Sequence, residues 1–371
     1  MQFGGIRVAK ILGIEIWLDY SWLIIFFLIF ISFTAGVVPS QFPELSWPAS
    51  LATGTVTTLL FFVSVIAHEL SHSLYAKRQG LHIKRITLFI FGGASELLDE
   101  PKTPRQEFAI AAVGPLTSIA IGVLFLLVWL IGNAIDFVPM VAVGAILSTV
   151  NIALAVFNLL PGFPLDGGRI FRSFAWKQTG SLERATRYAA TGGRILGLLL
   201  IAGGITQILF AGLAGGLWLI LIGFFLYQSA GLSYLRTMSQ LILKGLRVRD
   251  LMRRDFMAVA RNTRVRDLLR RYVRRRKKTS VVVEPDRRHR ASVLDINRLP
   301  EQALDEPVSH FVPAKSYTLT PSQTVIKALD TMMSVGIPKL PVIEKGKLVG
   351  VLSADDIQTY IAGKSKLNNR A

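Results

Sequence analysis

The stretch Val63-Ser64-Val65-Ile66-Ala67-His68-Glu69-Leu70-Ser71-His72-Ser73-Leu74 places three ionisable side chains inside an apolar run that begins near Leu51. In a helix, side chains four residues apart leave from one face, so His68 and His72 lie one turn apart. Glu69 follows the first histidine and reaches the same region. The pattern His-Glu-x-x-His is typical of helices in which two histidines bind zinc and the glutamate is a general base.

The same pattern also occurs by chance on the solvated faces of soluble helices, where it binds nothing. The apolar surroundings argue against that interpretation. An ionisable side chain in the middle of a membrane span costs about 3 kcal/mol and normally persists for a function. Two hypotheses stay open at this point, a metal site and a pathway for ions.

The composition predicts a membrane domain followed by a soluble one. Hydrophobic residues make up 51% of the 371 residues, and the long uncharged runs end near residue 235. We therefore expect a membrane domain over residues 1–240 and a cytoplasmic domain over residues 246–365. The chain has no cysteine, so a metal ion can be held only by histidine and carboxylate ligands.

The net charge of +18 is distributed as expected for a protein beside anionic lipid. Basic residues flank the apolar runs, and the segment 247–278 contains fourteen Lys or Arg against three Asp. This arrangement predicts contact with lipid head groups and argues against nucleic acid as a partner.

Six apolar runs predict six membrane-spanning helices, at about 16–35, 51–76, 107–131, 140–158, 195–210 and 213–231. The loops after the first and third runs contain no Lys or Arg, whereas basic residues follow the second and the sixth. Both termini are therefore predicted in the cytoplasm, with the protein in the cell membrane.

Residues 83–98 are too few and too rich in β-branched side chains for another span. Gly92 and Gly93 form a predicted turn between two short strands. Such a hairpin dips into the membrane only where protein surrounds it. An ordinary loop on the cytoplasmic surface is the alternative.

A second informative stretch runs from Asn158 to Arg169. Its two prolines and three glycines break a helix at membrane depth, where irregular backbone usually lines a protein cavity. Asp166 lies at the inner end of this span, at the same predicted depth as His68 and His72. It is the natural third ligand of a site with three protein ligands and one open position.

In such a site, Glu69 would take a proton from water and pass it to the leaving amine. Asn158 could donate a hydrogen bond to the oxyanion. Alternatively, Asn158 bonds the loop backbone and shapes the turn, and the sequence leaves both roles open.

The soluble part carries an internal repeat at an offset of sixty residues. Val265 corresponds to Val325, for example, and each unit (246–305 and 306–365) is predicted as a strand, a helix, a pair of strands and a closing helix. The second unit resembles a CBS domain at residues 339–357. That resemblance makes Ser353 and Asp356 candidate ligands for ATP or AMP.

The first unit is degenerate, because residues 287–290 are basic where the CBS family has apolar residues and a glycine. A CBS pair that binds no nucleotide, and instead docks on the membrane domain or forms homodimers, is therefore the alternative.

Residues 10–235 resemble the site-2 protease family of intramembrane zinc metalloproteases. The resemblance depends on two motifs, His68-Glu69-Leu70-Ser71-His72 and the segment from Asn158 to Asp166-Gly167. It implies one zinc ion per chain, held by His68, His72 and Asp166, with Glu69 as general base and Asn158 near the oxyanion. It also implies a membrane-embedded hairpin in which an unwound substrate adds as a strand beside Gly92 and Gly93.

This chain departs from the family pattern at one position. Ser118 lies three residues after Gly114-Pro115, where the family often has asparagine. Any contact that the family makes through this asparagine is therefore in doubt in this chain, whereas the metal ligands are unaffected.

The predicted fold class is a polytopic α-helical membrane protein with six spans and a short membrane-embedded β-hairpin, followed by a C-terminal α/β CBS-domain pair. The expected function is hydrolysis of a peptide bond in or near the transmembrane segment of a single-pass membrane protein, regulated by adenine nucleotide.

Two other functions are weighed against this one. A CBS-regulated channel or transporter would use the intramembrane His, Glu and Asp as an ion path. Transporters commonly contain repeats in the membrane part, and none is visible here. A catalytically inactive relative that only holds substrates is disfavoured, since the ligands and the base are intact.

Overall fold

The computed structural model describes residues 5–81, 83–90, 92–97, 101–211, 213–275, 280–284, 291–295, 303–312 and 316–368. The chain forms two compact units, Met1–Leu235 and Arg236–Ala371. Each unit has its own core, and the site of interest lies in the first.

Six helices among the described residues are long and apolar enough to cross a membrane, which confirms the predicted number of spans. The first span, Trp22–Gln41, consists of α1 (Trp22–Ile31), a π-helical turn (Ser32–Val37) and α2 (Val38–Gln41). The other helices of this unit are α3 (Trp47–Arg78), α4 (Pro104–Ala134), α5 (Val138–Asn158), the short α6 (Asp166–Thr179), α7 (Leu182–Ala211) and α8 (Leu213–Leu243), which continues past the boundary at Leu235.

The predicted start of the first span is wrong. Residues Ile14–Asp19 form strand β2 instead, and the helix starts at Trp22. The reason lies in the period of the side chains: Ile14 and Ile16 are buried at 2% and 3% exposure, while Glu15 between them faces outward. Side chains that alternate between buried and outward-facing positions with a period of two indicate a strand, even inside a run of apolar residues.

The predicted hairpin at residues 83–98 is confirmed as two antiparallel strands, β3 (Ile83–Phe89) and β4 (Gly92–Leu97). The predicted position of its turn is wrong, because Gly92 and Gly93 pair with Phe89 and Leu88 and so belong to β4. Gly92 has a φ of +127°, which favours glycine. The hairpin is part of a larger sheet of order β1-β2-β3-β4, in which β1 (Gly5–Ile11) pairs antiparallel with β2, and β2 pairs parallel with β3.

Polar contacts stabilise the pair of strands β1 and β2. The Trp17 indole and the Arg7 guanidinium both donate hydrogen bonds to Glu15 and lower the pKa of its carboxyl.

Glycines allow helix α7 to approach helix α8 closely. A Cβ at Gly204 would lie 2.6 Å from the carbonyl oxygen of Gly216, and a Cβ at Gly197 would lie 2.6 Å from that of Gly223. Small residues at such crossings permit backbone contact, which is how helices associate where lipid removes the hydrophobic driving force. The pair α7–α8 therefore depends on these positions having no side chain.

We predict that Gly204→Leu destabilises the membrane unit by about 2 kcal/mol, since the new side chain overpacks the helix contact. Gly203→Leu is the matched control, because a Cβ on that neighbouring glycine meets no atom within 4 Å. Thermal unfolding in detergent, followed by circular dichroism, measures both. Equal melting temperatures for the two variants would contradict the assignment of the contact.

The second unit contains two similar α/β halves, each with its own apolar core. Val265 begins one helix and Val325 begins its counterpart, and both are fully buried. Residues 287–290, the basic departure from the CBS pattern, lie outside the described residues. The elements of this unit are α9 (Val248–Leu251), β5 (Ala258–Val259), α10 (Val265–Arg275), β6 (Ser280–Val283), β7 (Ser292–Asp295), a 3-10 turn (Val308–Phe311), α11 (Val325–Val335), β8 (Lys339–Glu344), β9 (Lys347–Ser353) and α12 (Ala354–Asn368).

Candidate metal centre

Helix α3 presents the two histidines of the motif as a buried pair. His68 and His72 are 4% and 6% exposed, and their Nε2 atoms are 3.3 Å apart. The rings are nearly perpendicular, with centroids separated by 4.9 Å. The four-residue spacing thus brings both imidazoles to one point, as the helical period requires.

Asp166 completes the group from a distant part of the chain. It is the first residue of α6, and its Oδ2 lies 3.2 Å from Nε2 of His68 and 3.1 Å from Nε2 of His72. Within the described part of the chain, these are the three residues whose ligand atoms are close enough to hold a metal ion together.

The loop before Asp166 packs closely against the start of α6 because the two residues after Asp166 are glycines. A Cβ at Gly167 would lie 2.1 Å from the carbonyl oxygen of Leu159, and one at Gly168 would lie 2.4 Å from the carbonyl carbon of Gly162. Only residues without side chains allow the start of α6 to fold against its own connecting loop.

The other ring nitrogen of each histidine is occupied by helix α4. Nδ1 of His72 is 2.7 Å from the carbonyl oxygen of Ile110 and must donate to it, because a carbonyl only accepts. Nδ1 of His68 is 2.9 Å from the hydroxyl of Ser118. Contacts of this kind fix the ring orientation and leave Nε2 as the ligand atom.

The separations of the three inner atoms fit a tetrahedral ion of the size of zinc. Bonds of about 2.0–2.1 Å in a tetrahedron put neighbouring ligand atoms about 3.3 Å apart. The three pairs here are separated by 3.1, 3.2 and 3.3 Å. Two imidazoles and one carboxylate are also a ligand set that catalytic zinc sites use.

Gly114 of α4 keeps the space beside the paired histidines open. A Cβ at this position would lie 2.0 Å from Nε2 of His72 and 2.8 Å from Nε2 of His68. The absence of a side chain is therefore a condition for any ion at this point.

Glu69 lies beside the three converging residues and beneath strand β4. A Cβ at Gly93 would be 2.3 Å from Cγ of Glu69, so the backbone of the hairpin passes directly over this side chain. Glu69 is half-buried and is not among the three converging residues. This position fits a base beside the ligands, while the roles of Glu69 and Gly93 stay predictions.

The other predicted site residues are placed as follows. Asn158 is the half-buried last residue of α5, and among the described residues it makes no hydrogen bond to the three converging side chains. In the second unit, Ser353 and Asp356 lie at the junction of β9 and α12, where the Ser353 hydroxyl is 2.6 Å from Oδ2 of Asp356. The roles of Asn158, Ser353 and Asp356 stay predictions.

Ile110 is the contributor that sequence reasoning missed, whereas Gly114 and Ser118 were noted only as positions of the family pattern and without these contacts. The signals for those two positions are Gly114-Pro115 inside a span and Ser118 three residues later. A backbone carbonyl carries no sequence signal at all, so Ile110 could not have been found from the chain alone.

Comparison with known families matches residues 56–134 and 132–202 to Peptidase family M50 and residues 308–363 to the CBS domain. A protein of Synechocystis, provisionally named zinc metalloprotease sll0528, is 44% identical over 230 residues. These residues are 62% of this chain and 59% of the relative's length. The chain belongs to Peptidase family M50.

Two further relatives of this M50 chain come from Methanocaldococcus jannaschii. One, provisionally named zinc metalloprotease MJ0611, is 30% identical over 148 residues, which are 33% of this chain and 76% of the relative. The other is the solved structure of a site-2 protease, 30% identical, with a TM-score of 0.43, covering 62% of this chain and 95% of that structure. The family match and the relative covered over 76% of its length confirm, at the level of the family, the resemblance predicted from two motifs. With its six apolar helices, this M50 member is a multi-pass membrane protein.

We predict that Gly114→Ala abolishes retention of a metal ion, because the methyl group would occupy the space beside Nε2 of His72. Gly122→Ala on the same helix is the control, since the nearest atoms to its Cβ would be those of the Ile152 side chain and the Ser148 carbonyl, and not the histidines. The number of metal ions per purified chain, measured by mass spectrometry, is compared between the two variants. A Gly114→Ala variant with full metal content would contradict the geometry.

Proposed function

We propose that the chain is a zinc metalloendopeptidase that hydrolyses a peptide bond in or near the transmembrane segment of another membrane protein. The observation that carries this proposal is the convergence of His68, His72 and Asp166 within 3.3 Å of one another, next to Glu69. Membership of family M50 and the names of the relatives support the same activity.

Zinc bound by these three residues supplies Lewis-acid chemistry, which activates water near neutral pH and polarises a carbonyl. Glu69 would accept a proton from the water as the water oxygen bonds to the carbonyl carbon. It would then donate this proton to the amide nitrogen as the C–N bond breaks. Asn158 is proposed to donate a hydrogen bond to the oxyanion.

Glu69→Gln is expected to lower cleavage about 10²- to 10⁴-fold, because the amide keeps the size of the side chain but cannot take the proton. Zinc content should stay at one ion per chain. The measurement is cleavage of a single-pass substrate in proteoliposomes, together with metal analysis of the same preparation. Asp166→Asn is the comparison that should lower the zinc content as well.

Two outcomes would contradict this proposal. Full cleavage by Glu69→Gln would remove the base from its role. A zinc-free wild-type protein that conducts ions would instead support the rival function, a CBS-regulated channel or transporter.

The substrate is proposed to bind as an added strand. A helical substrate shields its own amide bonds, so it has to unwind before it is cut. Strand β4 is an edge of the sheet among the described residues, and its Gly93 lies against Glu69. An extended segment paired with β4 beside Gly92 and Gly93 would therefore lie next to the proposed base.

We propose that both termini lie in the cytoplasm and that the protein is in the cell membrane, with the site near the inner face. The distribution of Lys and Arg between loops supports this orientation. The basic segment 247–278 is proposed to contact anionic lipid head groups, and the C-terminal unit is proposed as a homodimer contact.

ATP or AMP is proposed to bind at the junction of β9 and α12, as the matched CBS family supports. Both carboxylate oxygens of Asp356 are engaged: Oδ2 accepts from the Ser353 hydroxyl, and Oδ1 accepts from Nε of Arg253 at 2.5 Å. A ribose hydroxyl that approaches Oδ1 of Asp356 would therefore compete with the Arg253 guanidinium for that oxygen.

We predict that Arg253→Met raises the affinity for ATP and AMP and that Asp356→Ala abolishes binding. Lys345→Met is the control, since Lys345 is an exposed lysine in the turn between β8 and β9. Isothermal titration calorimetry of the full chain measures these affinities. Lower affinity in Arg253→Met would make Arg253 a ligand and not a competitor. Cleavage that does not change at saturating ATP and AMP would exclude regulation.

A further inference from the structure

A buried ion pair joins helices α4 and α6 close to the candidate metal centre. Nε and Nη2 of Arg172 both donate to Oε1 of Glu107. Glu107 is fully buried, and Arg172 is 5% exposed. Neither residue is one of the three converging ligands or the proposed base, and no family role was predicted for either.

An ion pair in this position is not explained by stability. Removing two charges from water carries a large desolvation cost, which their attraction repays only with good geometry. Apolar side chains of similar volume are often as stabilising or more so. A buried ion pair can instead select one arrangement of the two helices that it connects. This interpretation requires that the arrangement positions a functional site.

The two ends of the pair lie on the two elements that complete the metal centre. Glu107 is three residues, about one helical turn, before Ile110, whose carbonyl accepts from His72. Arg172 belongs to α6, the helix that begins with Asp166. The pair thus links the element that orients a histidine to the element that carries the carboxylate.

Arg172 also holds the loop that leads to Asp166. Its guanidinium carbon lies 5.1 Å from the centroid of the Phe163 ring, three residues before Asp166. The backbone N–H of Phe163 donates to the carbonyl of Ala189 in α7 at 3.1 Å. One side chain therefore contacts both the loop before Asp166 and the helix that packs on the histidines.

We propose that the Glu107–Arg172 ion pair is the positioning element that sets Asp166 against His68 and His72. This inference rests on the proposed zinc site. Arg172 and Glu107 act through Asp166 and are not catalytic residues: they fix where the carboxylate stands, and so determine how tightly the site holds its ion.

The test uses the full-length protein in detergent and the double variant Glu107→Leu/Arg172→Met. This variant removes both charges without leaving one unpaired, so the fold is expected to persist with an unchanged or higher melting temperature. Zinc affinity, measured by competition with a chromophoric chelator, is expected to fall about 10- to 100-fold, as is typical when groups that orient a ligand are lost. Lys177→Met, an exposed site on α6, is the control and should change neither quantity.

A second pair of measurements separates positioning from a general structural role. Arg172→Lys retains the charge without the fork geometry and should bind zinc more tightly than Arg172→Met. In the cleavage assay, kcat of the double variant should fall while KM for the substrate stays unchanged, because the proposed substrate strand is held elsewhere.

The outcomes distinguish this inference from the proposed function. A double variant that binds zinc as tightly as the wild type overturns the positioning role and leaves the zinc protease proposal intact. A wild-type protein that retains no zinc overturns both. A double variant with weaker zinc binding and a lower melting temperature assigns the pair to the fold and also overturns the positioning role.

Discussion

Two imidazoles buried in an apolar helix constrain the whole membrane unit. A polar group without a partner in such surroundings costs on the order of 2 kcal/mol or more, so each ring nitrogen of His68 and His72 must be satisfied. Helix α4 supplies partners for the Nδ1 atoms, and the start of α6 brings Oδ2 of Asp166 to 3.1–3.2 Å from the Nε2 atoms, which an ion held by all three residues would satisfy. Three elements far apart in sequence are thereby joined at one point. The chemistry proposed for the site and the packing of the unit follow from the same set of contacts.

Glycine makes this convergence possible. Gly114 leaves room at the inner ring nitrogens, and Gly93 lets a strand pass over Glu69. Elsewhere, Gly204 and Gly216 let two membrane helices touch through their backbones. In each case the glycine matters because it has no side chain, so another group can occupy the space beside its Cα atom. Apolar helices of ordinary composition can therefore hold a polar site.

Much of this arrangement could be predicted from local patterns. The spacing of His68 and His72, the broken helix before Asp166 and the six apolar runs each carry a period, a charge or a break that a short window of sequence reveals. The start of the first span could not be predicted in this way. Residues 14–19 alternate with a period of two inside an apolar run, and hydropathy alone does not separate a buried strand from a helix.

The sequence by itself determined the family, the number of spans and the identity of the residues that meet, because those properties depend on residue type and spacing. The tertiary structure alone decided what surrounds them: the four-stranded sheet, the Ile110 carbonyl and Ser118 behind the histidines, and the ion pair of Glu107 with Arg172. These contacts join residues about forty to seventy positions apart along the chain. Which backbone group faces which side chain at such a distance depends on helix packing, and packing is a property of the whole fold and not of any local stretch.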